Sequence, residues 1–204
     1  LVTLRGGERL RTVASNPKKP GTGFQNPQVL ARRNRLVFAV SDDYFGDRRY
    51  RKKTQGIIIR EGVVHSQKTY KSGSGSFPNL DTLALYPDGS LRVRQSGELT
   101  AKEYLEDGAT DVLAFGPVMI RGGEINDTLA GKNRNLEPRH AFGMIAPGRY
   151  VSLVAEGRHK RSRGTGLTWM AQRMQELGVQ EAINLDGGQT VALVFLGKKI
   201  NTTG

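Results

Sequence analysis

The chain of 204 residues carries a formal net charge of +12, with 37% hydrophobic and 25% charged residues and no cysteine. That composition supports a sizeable core in one domain and excludes global disorder. It also excludes disulfides, a thiol nucleophile and thiolate metal sites, and no apolar run reaches the roughly 20 residues a spanning helix needs.

In chain order, residues 1–23 read as a peripheral amino-terminal segment of a single domain covering 1–204. "LVFAV" (36–40) reads as a short buried strand. Basic residues cluster around it at Arg32, Arg33 and Arg35, and again at Arg48, Arg49, Arg51, Lys52 and Lys53. "GIIIREGVV" reads as a hairpin turning at Glu61-Gly62, followed by a Ser/Gly loop over "SQKTYKSGSGSFPN". "TLALYPDGSLRV" is a second hairpin through Pro87-Asp88-Gly89-Ser90. "TAKEYLEDG" opens on a capping box, Thr100 with Glu103, and predicts a short helix ending at Gly108. "DVLAFGPVMIRGGEI" returns to strand, with turns at Gly116-Pro117 and Gly122-Gly123, and "AGKNRNLEP" reads as a polar connection.

The carboxy-terminal third is the most regular. "RYVSLVAEG" and "EAINL" read as strands. Between them "LTWMAQRMQELG" places Leu167, Met170, Ala171, Met174 and Leu177 on one helical face, with Gly178 as its C-cap glycine. Strand, helix and strand at this spacing predict a βαβ crossover, two parallel strands in one sheet. The fold class expected is therefore α/β with α+β character: a mixed sheet, a carboxy-terminal crossover and several hairpins. Asp186 then stands just past the end of a parallel strand, where open α/β sheets bind ligands. Gly187 and Gly188 let the backbone turn and let a ligand approach its N–H groups, although Asp-Gly is also ordinary turn chemistry.

These stretches together resemble the phosphodiester glycosidase domain family. "EAINLDGGQT" resembles its A-x-N-L-D-G-G-G-S signature, and "EPRHAFGMI" resembles its P-R-T-A-x-G strand. "VAEGRHKRSRGTGLTWMAQRMQELG" is similar to its D-G-R and S-x-G-L-T segments and the helix after them. "AFGPVMIRGGEI" is similar to G-P-x-L-x-x-D-G, and "FAVSDDYFG" to A-I-N-G-G-F-F. The order is that of the family, from about Phe24 onward. Three departures stand out: Ser41-Asp42-Asp43 replaces Asn-Gly-Gly, Gln189-Thr190 replaces Gly-Ser, and His140 replaces Thr.

The resemblance implies an enzyme, a hydrolase of glycosyl 1-phosphodiesters such as N-acetylglucosamine conjugates, acting on a phosphate-linked sugar of a bacterial surface polysaccharide or glycoconjugate. The alternative is a non-catalytic carbohydrate-phosphate binding module in which the altered Ser41-Asp42-Asp43 element has lost turnover. Catalysis is assigned to Asp186, as base, nucleophile or hydroxyl acceptor, and to Arg139, whose guanidinium can clamp a phosphate. Substrate binding is assigned to Asn184, Gly187, Gly188, Thr190, Thr165, Gly166, Asp43 and Arg158. Thr165, Gly166 and Thr168 also read as the cap of the following helix. His140 could supply a proton near neutral pH, but strand alternation turns it away from the face of Arg139. Asp42 or Asp43 should turn toward the pocket and pair with Arg or Lys. No cofactor or metal is called for, although a divalent cation between these acids and Asp186 stays open. The basic clusters suit an anionic partner; the sparse aromatics and missing recognition motifs argue against nucleic acid. The substrate class points to a secreted or cell-surface location, with any signal upstream of Leu1.

Overall fold

The fold was analysed in a computed structural model that describes residues 1–16, 18, 23–42, 56–68, 80–129 and 135–202. Two antiparallel sheets stack face to face, and each carries a helix on its outer side. The six-stranded sheet runs β1 (Val2–Thr3), β11 (Arg149–Ala155), β10 (Arg139–Ala146), β12 (Glu181–Leu185), β8 (Val118–Arg121) and β9 (Glu124–Ile125). The five-stranded sheet runs β4 (Val63–Lys68), β3 (Gly56–Arg60), β7 (Asp111–Phe115), β5 (Asp81–Leu85) and β6 (Leu91–Arg94). A third, small sheet joins β14 (Lys198–Lys199), β13 (Leu193–Phe195) and β2 (Phe38–Val40).

Alternation along the strands explains the layers. Leu83, Leu91 and Leu113 of the five-stranded sheet meet Phe142, Ile183 and Leu185 of the six-stranded one in a shared core. The opposite face of the six-stranded sheet presents Ala141 and Ala182 to α3 (Leu167–Glu176), whose Met170, Ala171 and Met174 are fully buried. Burying each of those methionines contributes about 1.5–3 kcal/mol. On the far side, Tyr104 of α2 (Ala101–Glu106) packs with Ile57, Ile59 and Val112. α1 (Pro27–Arg33) is capped by Asn26, whose side chain accepts from Gln28 N, and buries Ala31 against Ala192 and Val194.

Both expected hairpins form. Glu61 and Gly62 take φ of 49° and 76°, the left-handed pair that a two-residue turn between β3 and β4 demands. The capping box at Thr100 and Glu103 is present in both directions.

The expectation of a mixed sheet built on a βαβ crossover is corrected. β11 and β12 do share a sheet and, both being antiparallel to β10, run parallel to each other as expected, but β10 lies between them, so no parallel pair forms. Every strand pairing described is antiparallel, and the fold is mostly β with α+β character. The physical reason is that Pro147-Gly148 closes β10 tightly onto β11, so the central place is taken before the chain reaches α3. Two smaller readings also change. Leu177 is 54% exposed, because the helix ends one residue earlier and Leu177 turns out with the cap. β2 is only partly buried, since it lies at the edge of the small sheet.

Candidate active site

The ladder between β10 and β12 pairs His140 with Leu185, so the next rung sets Arg139 beside Asp186. The backbone locks this arrangement. Gly188 N donates to Pro138 O at 3.0 Å, and a Cβ on Gly187 would stand 2.5 Å from the same oxygen. Only glycine permits that approach, and Gly188 adopts a φ of +71°. The loop then closes as a single 3-10 turn over Gly188–Thr190, and Thr190 Oγ1 donates to Asp186 Oδ2 at 2.8 Å. Thr190, expected to touch substrate, is thus placed to orient the carboxylate.

Asn184 is buried. Its Nδ2 donates to Gly116 O at 2.9 Å, while Oδ1 has no hydrogen-bond partner among the described residues. A buried acceptor of that kind is costly unless a ligand hydroxyl or a water meets it.

Around Arg139 lies a small charged group. Its Nε donates to Thr165 O at 3.4 Å and its Nη2 to Asn135 O at 3.3 Å. Burial, the largest influence, lowers its pKa; nearby Glu137 raises it and Arg158 lowers it further. Arg158 sets both Nε and Nη2 2.7 Å from Glu137 Oε2. Glu137 escaped sequence reading, although it stands two residues before Arg139 in the most family-like stretch; the second charge in "EPR" was the available signal. Its backbone bonds reciprocally with Thr165, N to O at 3.3 Å and O to N at 2.9 Å, which ties the entrance of α3 to this group. The helix-capping position holds for Gly166, and the capping expected of Thr165 and Thr168 is corrected. Gly166 is the N-cap without a side-chain bond, while Thr165 Oγ1 turns to Gly166 O and Thr168 Oγ1 to Leu129 O.

A cleft of about 1220 Å³ opens beside Asp186, and Ser41, Asp42, Arg60, Gln189 and Thr190 share its lining. Arg139 is not among the residues lining it. Asp42 pairs with Arg60 Nη2 at 3.4 Å, which realises the expected pairing for that carboxylate; Asp43 lies outside the described residues. Ser41 was not singled out as a site residue by itself. Its hydroxyl accepts from Ala192 N at 2.9 Å and donates to Thr190 O at 3.2 Å, clasping the end of the Asp186 loop.

His140 is enclosed between the sheets. Nδ1 lies 3.2 Å from Ser41 O and Nε2 lies 2.9 Å from Ser152 Oγ. A carbonyl can only accept, so the proton sits on Nδ1 and Ser152 donates to Nε2. Burial pushes the His140 pKa down to about 4, against the smaller upward pull of the Ser41 carbonyl. A neutral, inaccessible ring does not serve as the proton donor considered above. Among the described residues no three His, Asp or Glu side chains converge as a metal site.

Residues 34–204 match the family model described as phosphodiester glycosidase. The chain belongs to the phosphodiester glycosidase family. This family member is 26% identical over 175 residues to the SPbeta prophage-derived uncharacterized protein YomE of Bacillus subtilis (strain 168), a match covering 84% of this chain and 26% of the relative. Among solved structures, the zebrafish N-acetylglucosamine-1-phosphodiester alpha-N-acetylglucosaminidase catalytic domain, auto-inhibited by its pro-peptide, superposes with a TM-score of 0.65 at 22% identity. That match covers 85% of this chain and 58% of the zebrafish chain. A hypothetical protein from Synechocystis superposes with a TM-score of 0.63 at 13% identity over 95% of this chain and 53% of its own. At these identities the structures establish the shared fold. The phosphodiester glycosidase chain thus spans about a quarter of the prophage relative and little more than half of either solved chain.

Proposed function

We propose that this family member hydrolyses glycosyl 1-phosphodiesters carried by a bacterial surface polysaccharide or glycoconjugate, working in secreted or cell-surface form. The observation that carries the reading is the Asp186 carboxylate, held by Thr190 on a glycine loop clamped to Pro138, one rung from Arg139. In this reading Arg139 and Arg158 face the diester phosphate. An oxygen nucleophile attacks the anomeric carbon as its bond to the phosphate oxygen breaks. The phosphomonoester departs with the electron pair. Asp186 acts in its ionised form, either taking the proton of the attacking water or itself attacking, with water releasing the sugar afterwards. The leaving phosphate needs less protonation than an ordinary sugar alcohol, which fits a site in which His140 is buried and neutral. Asn184 Oδ1 accepts from a sugar hydroxyl.

The test is incubation with the methyl phosphodiester of N-acetylglucosamine 1-phosphate and quantification of free N-acetylglucosamine. Release of the sugar is expected. Binding of the same diester without release would assign the binding-module alternative, in which the charged Ser41-Asp42 element occupies the cleft without turnover.

A further inference from the structure

A third basic cluster of the sequence, Arg158, Lys160, Arg161 and Arg163, lies between β11 and α3. It is a built turn. His159 and Ser162 exchange both backbone bonds, N to O at 3.1 Å each way, so Lys160 and Arg161 occupy the two tip positions. Ser162 Oγ donates to Glu156 O at 2.5 Å and accepts from Gly164 N at 3.2 Å, bracing the turn at its base. Gly157 and Gly164 close on each other and on Glu137-Pro138, the same segment whose Pro138 carbonyl anchors Gly188. Arg158, at the foot of the turn, brings its guanidinium beside Gly188. The turn therefore rises directly from the Asp186 loop.

Its charges are left over. Glu137 is taken by Arg158, and Glu156 accepts from Thr202 N at 2.5 Å with His159 Nε2 at 3.8 Å. Lys160, Arg161 and Arg163 are exposed, and none has an acidic partner among the described residues. Three such cations on one braced turn set up a positive field that extends about a Debye length, roughly 8–10 Å, from them. The turn holds no Phe, Tyr or Trp to stack a base, which distinguishes it from single-strand nucleic-acid platforms.

We propose that this turn is a docking surface for the continuing chain of a polymeric substrate, a phosphate-linked glycan whose neighbouring phosphates lie on Lys160, Arg161 and Arg163 while one diester occupies the Asp186 site. The inference rests on the hydrolase reading only for where the scissile diester sits. Reading the polymer end-on in this way makes the preferred substrate a poly(glycosyl phosphate) rather than a single capped sugar.

The experiment compares two chains in the Asp186→Asn background, which keeps the polymer intact: one otherwise unchanged, one also carrying Lys160→Ala, Arg161→Ala and Arg163→Ala. Binding of oligomeric poly(N-acetylglucosamine 1-phosphate) is measured across salt concentrations, with thermal melting as a check on folding. The triple substitution is expected to weaken binding roughly tenfold at low salt and to flatten the salt dependence by about two powers of concentration. In the Asp186-containing chain it should leave hydrolysis of the methyl diester unchanged. Unchanged polymer affinity in a folded triple variant overturns the docking surface. So does tighter binding to single-stranded DNA of equal charge, which would assign the turn to nucleic acid. Absent methyl-diester hydrolysis with the polymer effect intact removes the hydrolase reading alone.

Discussion

In the proposed reaction Asp186 carries the chemistry, and its surroundings predict how replacement behaves. In Asp186→Asn the amide oxygen still accepts from Thr190, so the loop keeps its shape while the negative charge is lost. Sugar release from the methyl diester should fall about a hundredfold or more. The melting temperature should stay near that of the parent. His140 makes the opposite kind of prediction, one of stability without chemistry. Its folded pKa of about 4 lies below the ordinary 6.5, so between those values the unfolded chain binds the extra proton. The stability tied to the neutral ring is fully present above pH 6.5 and is lost as pH falls toward 4, by up to about 3 kcal/mol. Urea midpoints across that range, together with an NMR titration in which the His140 ring stays neutral until about pH 4, would check it. Titration near 6.5 would show the ring to be solvent-accessible.

At the scale of elements, β10 decides the layout. It is the strand on which β11 and β12 both pair, and Gly143 lies at its middle. A Cβ there would come 2.4 Å from Glu181 O and 2.8 Å from Val179 Cγ1, neither of which is a free chain end. Gly143→Ala should therefore cost about 3 kcal/mol through displacement of β12, visible as a lower urea midpoint. Because Asp186 follows that strand, sugar release should fall along with stability. The hairpins and α2 were legible because their signals are local: a Glu-Gly pair at a two-residue turn, and a capping box within four residues. The neighbour of β12 was not, since strand–helix–strand spacing does not say whether a third strand already fills the gap.

For the whole molecule, Asp81 joins the two sheets. It opens β5 in one sheet, yet its carboxylate accepts from Ser96 N at 2.9 Å and from Val118 N, at the start of β8 in the other, at 2.8 Å. Asp81→Ala would remove the acceptor of the buried Val118 N and of the half-buried Ser96 N and should cost about 1–3 kcal/mol. Equilibrium denaturation would measure it, and a loss under 1 kcal/mol would mean that water replaces the carboxylate. Asp81 showed no sign of this in the sequence, where it looks like the polar first residue of a strand.

By itself the sequence determined the local elements, the alternation that builds both inner faces, and family membership through the Asn184-Leu185-Asp186-Gly187-Gly188 signature and its companions in order. It also singled out Asp186, Arg139 and Arg158, because those residue types carry their chemistry wherever they stand. Only the tertiary structure decided that β10 separates β11 from β12, that His140 is sealed between sheets, and that Glu137 meets Arg158 and Ser41 clasps the Asp186 loop. Each of those outcomes depends on residues far apart in the chain meeting across a sheet. Ser41, for instance, reaches Thr190 and His140 only after the small sheet folds onto the large one. Contacts of that separation leave no period or spacing to read, since their positions are set by packing of whole layers rather than by neighbours along the chain.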